Sequence, residues 1–156
     1  MCVVIDTCCL AQVFDRDNQY HTHFAPILQW VTKGKGRIIY GGTKYNTELR
    51  RAVKFLRVIV ELNRSGRAIR MDSAAVDRIS TELRTIVCDP AFNDEHLAAL
   101  IVVSRCCIIC TNDIAAMRFL KRRDLYSRYD VDRPKIYCKK RHECLCCDRY
   151  LAPVCR

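Results

Sequence analysis

Residues 92–113, FNDEHLAALIVVSRCCIICTND, carry the reading that decides the fold. The Asn93-Asp94 pair opens a helix, because a short polar side chain can accept from the orphan N–H groups of a first turn. From Leu97 to Val103 every residue is apolar, so this helix has no wet face and belongs inside the fold. Ser104 and Arg105 end the run, and Cys106 to Cys110 then read as an apolar strand without alternation. Strands of that kind are covered on both faces, as in a parallel sheet between helices. Thr111-Asn112-Asp113 follows, with Asp113 where the next helix starts. One acid thus heads a buried helix and another closes a buried strand. Strand carboxyl ends are where open α/β sheets bind ligands.

The same pattern recurs on either side of this stretch. Cys2 to Ile5 is a second wholly apolar strand, and it too ends in an acid, Asp6, followed by Thr7. The ordinary role for Asp-Thr at such a turn is a helix cap. A helix is expected over Tyr20 to Val31, closed by the Gly34–Gly36 turn, and a strand over Arg37 to Tyr40 that ends at Gly41-Gly42. A long helix from about Lys44 to Asn63 carries Arg50, Lys54, Arg57, Glu61 and Arg64 on its polar face. Its apolar arc carries Leu49, Ala52, Val53, Phe55, Leu56, Ile59 and Val60. Glu48 falls on that apolar arc, where a carboxylate needs a partner or a cation; Arg51 at i+3 is the ordinary alternative partner. Asp72-Ser73 caps a further helix with Val76, Ile79, Leu83 and Ile86 on one face, ending before Asp89-Pro90. After Asp113 a helix turns Ala116, Met117 and Leu120 inward. A strand-like piece lies at Lys135 to Cys138.

The chain's 156 residues suit one domain with a core of its own. Half the residues are hydrophobic, and neither a repeat nor a low-complexity run is present, which argues against disorder. The opening MCVVIDTCCLAQVF has no basic leader and carries Asp6 mid-run, so we expect neither a signal peptide nor a membrane span, and a cytoplasmic protein. The formal charge is +10, and it is uneven: residues 1–117 hold 15 Lys/Arg against 12 Asp/Glu, and residues 118–156 hold 12 against 5. A basic block attached to an acidic pocket suits an anionic polymer, nucleic acid first; a merely soluble basic surface is the plain alternative. Twelve cysteines are present. Without a secretory signal disulfides are not expected, and Cys2, Cys106, Cys107 and Cys110 read as small buried hydrophobes. Cys8 and Cys9 are expected to pack beside Asp6.

Asp6, Glu48, Asp94 and Asp113 would repel one another if gathered without cations. Hard divalent ions with oxygen ligands, Mg²⁺ or Mn²⁺, resolve that conflict and suit phosphodiester chemistry. No nucleophilic serine or cysteine motif and no phosphate-cradling glycine loop competes with this reading.

Four pieces together resemble the PIN-domain ribonuclease family: Ile5-Asp6-Thr7 after an apolar strand, Thr47-Glu48-Leu49-Arg50, Asp94 followed by Leu97-Ala98-Ala99, and Thr111-Asn112-Asp113. The resemblance spans about residues 2 to 121. It implies an α/β fold, a parallel sheet sandwiched between helices, and Asp6, Glu48, Asp94 and Asp113 as metal-holding catalytic acids. In that family such acids hold one or two divalent ions that cleave RNA, leaving a 3′-hydroxyl and a 5′-phosphate. Glu95 is then a substitute or helper for Asp94, and Thr7 and Thr111 resemble the supporting hydroxyl residues. The implied organisation is a PIN-like nuclease domain over 1–123 and a basic, cysteine-bearing extension over 124–156 packed on it. Small stand-alone members include the toxins of toxin–antitoxin pairs, so RNA, a protein antitoxin or inhibitor, and a homodimer partner come with the resemblance, and a membrane does not. A non-catalytic RNA-binding or scaffold module and a structure-specific DNA nuclease are the alternatives.

The tail departs from the family's shared core. Arg122 and Arg123, and then Lys139, Lys140 and Arg141, are its candidate RNA contacts. Cys138, His142, Cys144, Cys146, Cys147 and Cys155 offer ligands for zinc, but the paired C-x-x-C knuckles of structural zinc sites are missing. Cys144 and Cys146 fit one face of a strand equally well.

Overall fold

The computed structural model describes residues 2–155. Five short strands, β1 (Cys2–Ile5), β2 (Arg37–Gly41), β3 (Ala68–Met71), β4 (Ile108–Cys110) and β5 (Lys135–Tyr137), form one sheet in the order β3-β2-β1-β4-β5. Every neighbouring pair is parallel. β1 and β4 are buried along their whole length, as their unbroken apolar sequences require. The chain runs outward from β1 to β3, then returns across the sheet to β4. The sheet therefore reverses its strand order between β1 and β4, which is the topological switch point of an open α/β sheet.

Helices fill the crossovers: α1 (Leu10–Phe14), α2 (His21–Lys33), α3 (Thr43–Arg51), α4 (Val53–Arg64), α5 (Ser73–Val87), α6 (Glu95–Ser104), α7 (Ile114–Leu120) and α8 (Asp124–Ser127). α1 packs on α2 and α4, whereas α5 packs on α6 and α8. Right-handed crossovers place the two groups on opposite faces of the sheet. The result is the expected α/β sandwich. α6 lies against β1, β2 and β3, and every residue of it except Val103 is buried. Among the described residues no helix is long and apolar enough to cross a membrane.

The structure corrects three expectations. The helix expected over 44–63 breaks at Ala52 (φ −95°, ψ 61°) into α3 and α4. One straight helix, at about 100° per residue, would put Val53 on the arc of Tyr45 and Leu49. Tyr45 and Leu49 are indeed buried, yet Val53 is 57 % exposed and Val60 38 %. The break turns α4 so that Ile59 becomes its buried residue instead. Secondly, Cys2 and Cys155 are joined in a disulfide across a separation of 153 residues; cysteine spacing cannot show that the last turn returns to the start of β1. Thirdly, Cys144 lies in a 3-10 turn over Lys140–Leu145 with Cys146 capping it, not in a strand. The pair Cys8 and Cys9 does stand beside Asp6, the Cys8 N–H donating to its Oδ1 at 3.1 Å, with Cys9 buried and Cys8 exposed.

At the carboxyl end of β2 the chain turns through Gly41 (φ 143°) and Gly42 (φ 82°) into α3. A Cβ at Gly41 would sit 2.7 Å from the backbone oxygen of Met71 on β3. Strain at such a φ costs on the order of 1–3 kcal/mol even without the clash. Gly41→Ala is therefore expected to lower the melting temperature, followed by circular dichroism, by roughly 5 °C or more. An unchanged melt would mean that this turn is freer than its geometry indicates.

Candidate active site

Asp6 directly follows β1, and 6 % of its surface is exposed. Its backbone N–H donates to the Cys110 carbonyl at 2.9 Å, extending the β1–β4 ladder one residue further. A buried carboxylate needs donors, and both oxygens have one. Oδ1 accepts from the Cys8 N–H at 3.1 Å, the cap expected of it, and Oδ2 accepts from the Thr111 hydroxyl at 2.7 Å. Thr111 is fully buried, and its oxygen also accepts the Asp113 N–H at 3.1 Å. One hydroxyl therefore couples the acid after β1 to the acid after β4. Asp113 caps α7 through Oδ1, which accepts from the N–H groups of Ala115 and Ala116 at 2.7 and 3.1 Å. It stands exposed at the mouth of the site.

Glu48 approaches from α3. Its Oε2 accepts from the Thr7 hydroxyl at 2.8 Å and lies 3.5 Å from His96 Nε2. Arg51 is not its partner. Burial pushes the Glu48 carboxyl up, but His96, the Thr7 hydrogen bond and Lys44 together outweigh it and hold the group below its ordinary value. α3 is fixed behind the site by Tyr45, whose buried hydroxyl donates to the Ile5 carbonyl at 2.7 Å.

Asp94 occupies the N-cap position of α6, but its side chain makes no capping hydrogen bond. This corrects the expectation that it caps. Burial and then the negative charge of Asp6 push its carboxyl above the ordinary range, with Asp113 adding and His96 and Lys44 opposing. Asp94 therefore lies in the field of two of the other acids. Glu95 points elsewhere: its buried carboxylate pairs with Arg84 at 2.8 Å and Lys44 at 3.4 Å. Lys44 also donates to the Asn93 carbonyl. Glu95 so braces the start of α6 against α5 and α3, and its charge is already matched.

Two residues were not read from the sequence. Lys44 is the first. His96 is the second: it is 2 % exposed, and among the described residues neither ring nitrogen has a well-formed hydrogen-bond partner. A histidine two places after Asp94, on a helix without a wet face, is the signal that could have found it. Among the described residues no three His, Cys, Asp or Glu side chains are arranged as a ready-made metal cage. Mg²⁺ does not require one, since it keeps several waters and takes one or two carboxylates together with substrate phosphates. The all-oxygen donors and the overlapping charges on Asp6, Asp94 and Asp113 suit such an ion.

The candidate RNA contacts divide. Arg122 is neutralised by a two-pronged pair with Asp124, at 3.1 and 2.6 Å. Arg123, Lys139, Lys140 and Arg141 are exposed. Comparison with family models, curated proteins and solved structures finds no match to this chain.

Because its folded-state affinity for a proton is raised, Asp94 destabilises the fold as pH climbs above the ordinary carboxyl range, where the unfolded chain has already released that proton. Asp94→Asn is thus expected to raise the melting temperature at pH 7 by on the order of 2 °C, and the gain should vanish near pH 3. A lower melt at pH 7 would show that the carboxylate is compensated within the protein. Thr111→Val has the opposite sign. It strips one donor from the buried Asp6 carboxylate and should cost about 1–3 kcal/mol, read from urea unfolding.

Proposed function

We propose that this protein is a divalent-metal-dependent endoribonuclease of the PIN type, acting in the cytoplasm. The observation that carries the reading is that the Thr111 hydroxyl links Asp6 to Asp113 at the switch point between β1 and β4, with the Asp94 carboxyl pushed up by burial and by the charge of both. Glu48 adjoins them through Thr7. Carboxylates so placed repel an RNA phosphate, which makes a cation a requirement of the site and not an ornament.

Asp6, Glu48, Asp94 and Asp113 would hold Mg²⁺ or Mn²⁺ there. Such an ion supplies a nucleophilic water at neutral pH and charge stabilisation for the phosphodiester. The chain's own residues set the geometry. Thr111 fixes the Asp6 carboxylate and the backbone entering α7, and Thr7 fixes Glu48. His96 stands beside Glu48, its Nε2 3.5 Å from Oε2. The basic last quarter of the chain, residues 118–156, offsets the acids and draws in a polyanion.

The test is incubation of purified protein with an unstructured RNA under Mg²⁺, Mn²⁺ or EDTA, with the ends of the products analysed. Cleavage should need the metal and leave a 5′-phosphate. Asp6→Asn should retain its circular-dichroism spectrum and lose about 100-fold or more in rate, as when a group stabilising transition-state charge is removed. RNA bound but never cut would support a non-catalytic module. DNA cut in preference would support a structure-specific DNA nuclease. Equal cleavage by the parent and the Asp6→Asn variant would overturn the site.

A further inference from the structure

A cleft of about 430 Å³ runs between α7 and the edge strand β5, from Pro134 to Cys138. Lys121, Arg133, Lys135 and Arg141 line it together with His142, and no carboxylate does. Among the described residues none of these four cations forms an ion pair. This separates them from Arg122, Lys54 and Arg84, whose charges are locally matched. Like charges held together without counter-charge raise the potential of a concave wall and concentrate anions there.

The cleft continues past Arg133 and Lys135, which also line a second one of about 720 Å³ with Arg123 and Tyr150. Asp130 and Asp132 partly offset the cations in this second part, so the first is the stronger anion site. Tyr150 lies beside it, with the Lys135 ammonium 5.7 Å and the Arg149 guanidinium 5.9 Å from its ring centre. Unpaired cations along a channel with an aromatic surface at one end are the elements of single-strand binding: backbone tracking and base stacking.

Placement links the cleft to the acids. Its helical wall is α7, which begins at the Asp113 cap and reaches Lys121 after eight residues, about 12 Å of helical rise. Its other wall, β5, ends beside Thr111, whose N–H donates to the Tyr137 carbonyl at 3.2 Å. Cys138, next in the chain after that carbonyl, lines the cleft.

We propose that this β5-edge cleft is the track for a single-stranded RNA backbone leading to or from the acids, with Lys121, Arg133 and Arg141 on phosphates and Tyr150 under a base. The proposal rests on the ribonuclease reading.

The experiment measures binding of a fluorescein-labelled unstructured RNA by anisotropy in EDTA, where no cleavage occurs, across a series of salt concentrations. The Lys121→Ala/Arg133→Ala/Arg141→Ala variant is compared with an Arg51→Ala/Arg57→Ala/Arg78→Ala variant that removes equal charge from exposed positions on α3, α4 and α5. The cleft variant should bind at least tenfold more weakly, and its salt slope should flatten by about 2, at roughly 0.7 per lost phosphate contact on a single strand. Its melting temperature should match the parent's. The control variant should keep most of the parent's slope. Equal losses in the two variants would reduce the effect to net charge and overturn the track while leaving the ribonuclease reading in place. A parent that binds no RNA in EDTA would overturn the track, while the ribonuclease reading, which requires the cation, stands or falls separately on metal-dependent cleavage. Undiminished binding by the cleft variant, alongside metal-dependent cleavage by the parent, would overturn the track alone.

Discussion

The hydrogen bond from Thr111 to Asp6 holds together the two halves of the sheet's switch point. β1 and β4 are far apart in sequence, and their pairing is short, with Val4 opposite Ile109 and Ile5 opposite Cys110. Immediately beyond the ladder, the Thr111 hydroxyl ties one strand end to the other at 2.7 Å. The same oxygen then receives the Asp113 N–H, so the entry to α7 is set by the contact that fixes Asp6. Burying the Asp6 carboxylate without these donors would cost several kcal/mol. With them, a charged group stands at the base of the site at a cost the surrounding apolar strands can absorb. The hydroxyl thus serves stability and geometry at once.

Around this centre the charges fall into two kinds. Glu95, Lys44 and Arg84 form a matched set that clamps the start of α6, and Arg122 with Asp124 does the same after α7. These groups support structure. Asp94 differs: it stands at a helix start without capping it and is pushed toward its neutral form by burial and by Asp6. A carboxyl held above its ordinary range at an uncapped helix start departs from what a purely structural position requires. His96, buried and poorly partnered beside Glu48, departs from the rules of a satisfied core in the same place. Two such departures within three residues, both facing Glu48 or Asp6, are harder to assign to scaffold than either alone.

What the sequence disclosed and what it withheld divide along physical lines. The buried helix over Glu95–Ser104 and the strands around Asp6 and Asp113 were legible because unbroken apolar runs have few other solutions. The positions of Asp6, Asp94 and Asp113 at element ends followed from the same runs. The break at Ala52 was not legible, since a change in helix direction leaves the apolar residues nearly in phase and is set by what α4 must cover. Asp94 read as a cap because residue type reports capping capacity and not whether the bond forms. Arg122 read as a free cation because its partner Asp124 is two residues away and the pair depends on the turn into α8. The Cys2–Cys155 bond and the cleft beside β5 join segments that only the closed fold brings near.

The tail shows why density of charge in sequence is a poor guide to a binding surface. Lys139, Lys140 and Arg141 are its densest basic run, yet consecutive residues on a 3-10 turn point in different directions, and of the three only Arg141 lines the cleft. Its companions there are Lys121 from the end of α7 and Arg133 and Lys135 from the approach to β5, single cations with no basic run around the latter two. β5 fixes Lys135, pairing it with Ile108, while Arg133, Lys121 and Arg141 lie in the loop and turns that flank the strand. The strand that completes the sheet thereby supplies one cation of the positive wall. Its carboxyl end lies next to Thr111, so the acids at the switch point and that cation at the sheet edge are placed relative to one another by one set of backbone hydrogen bonds.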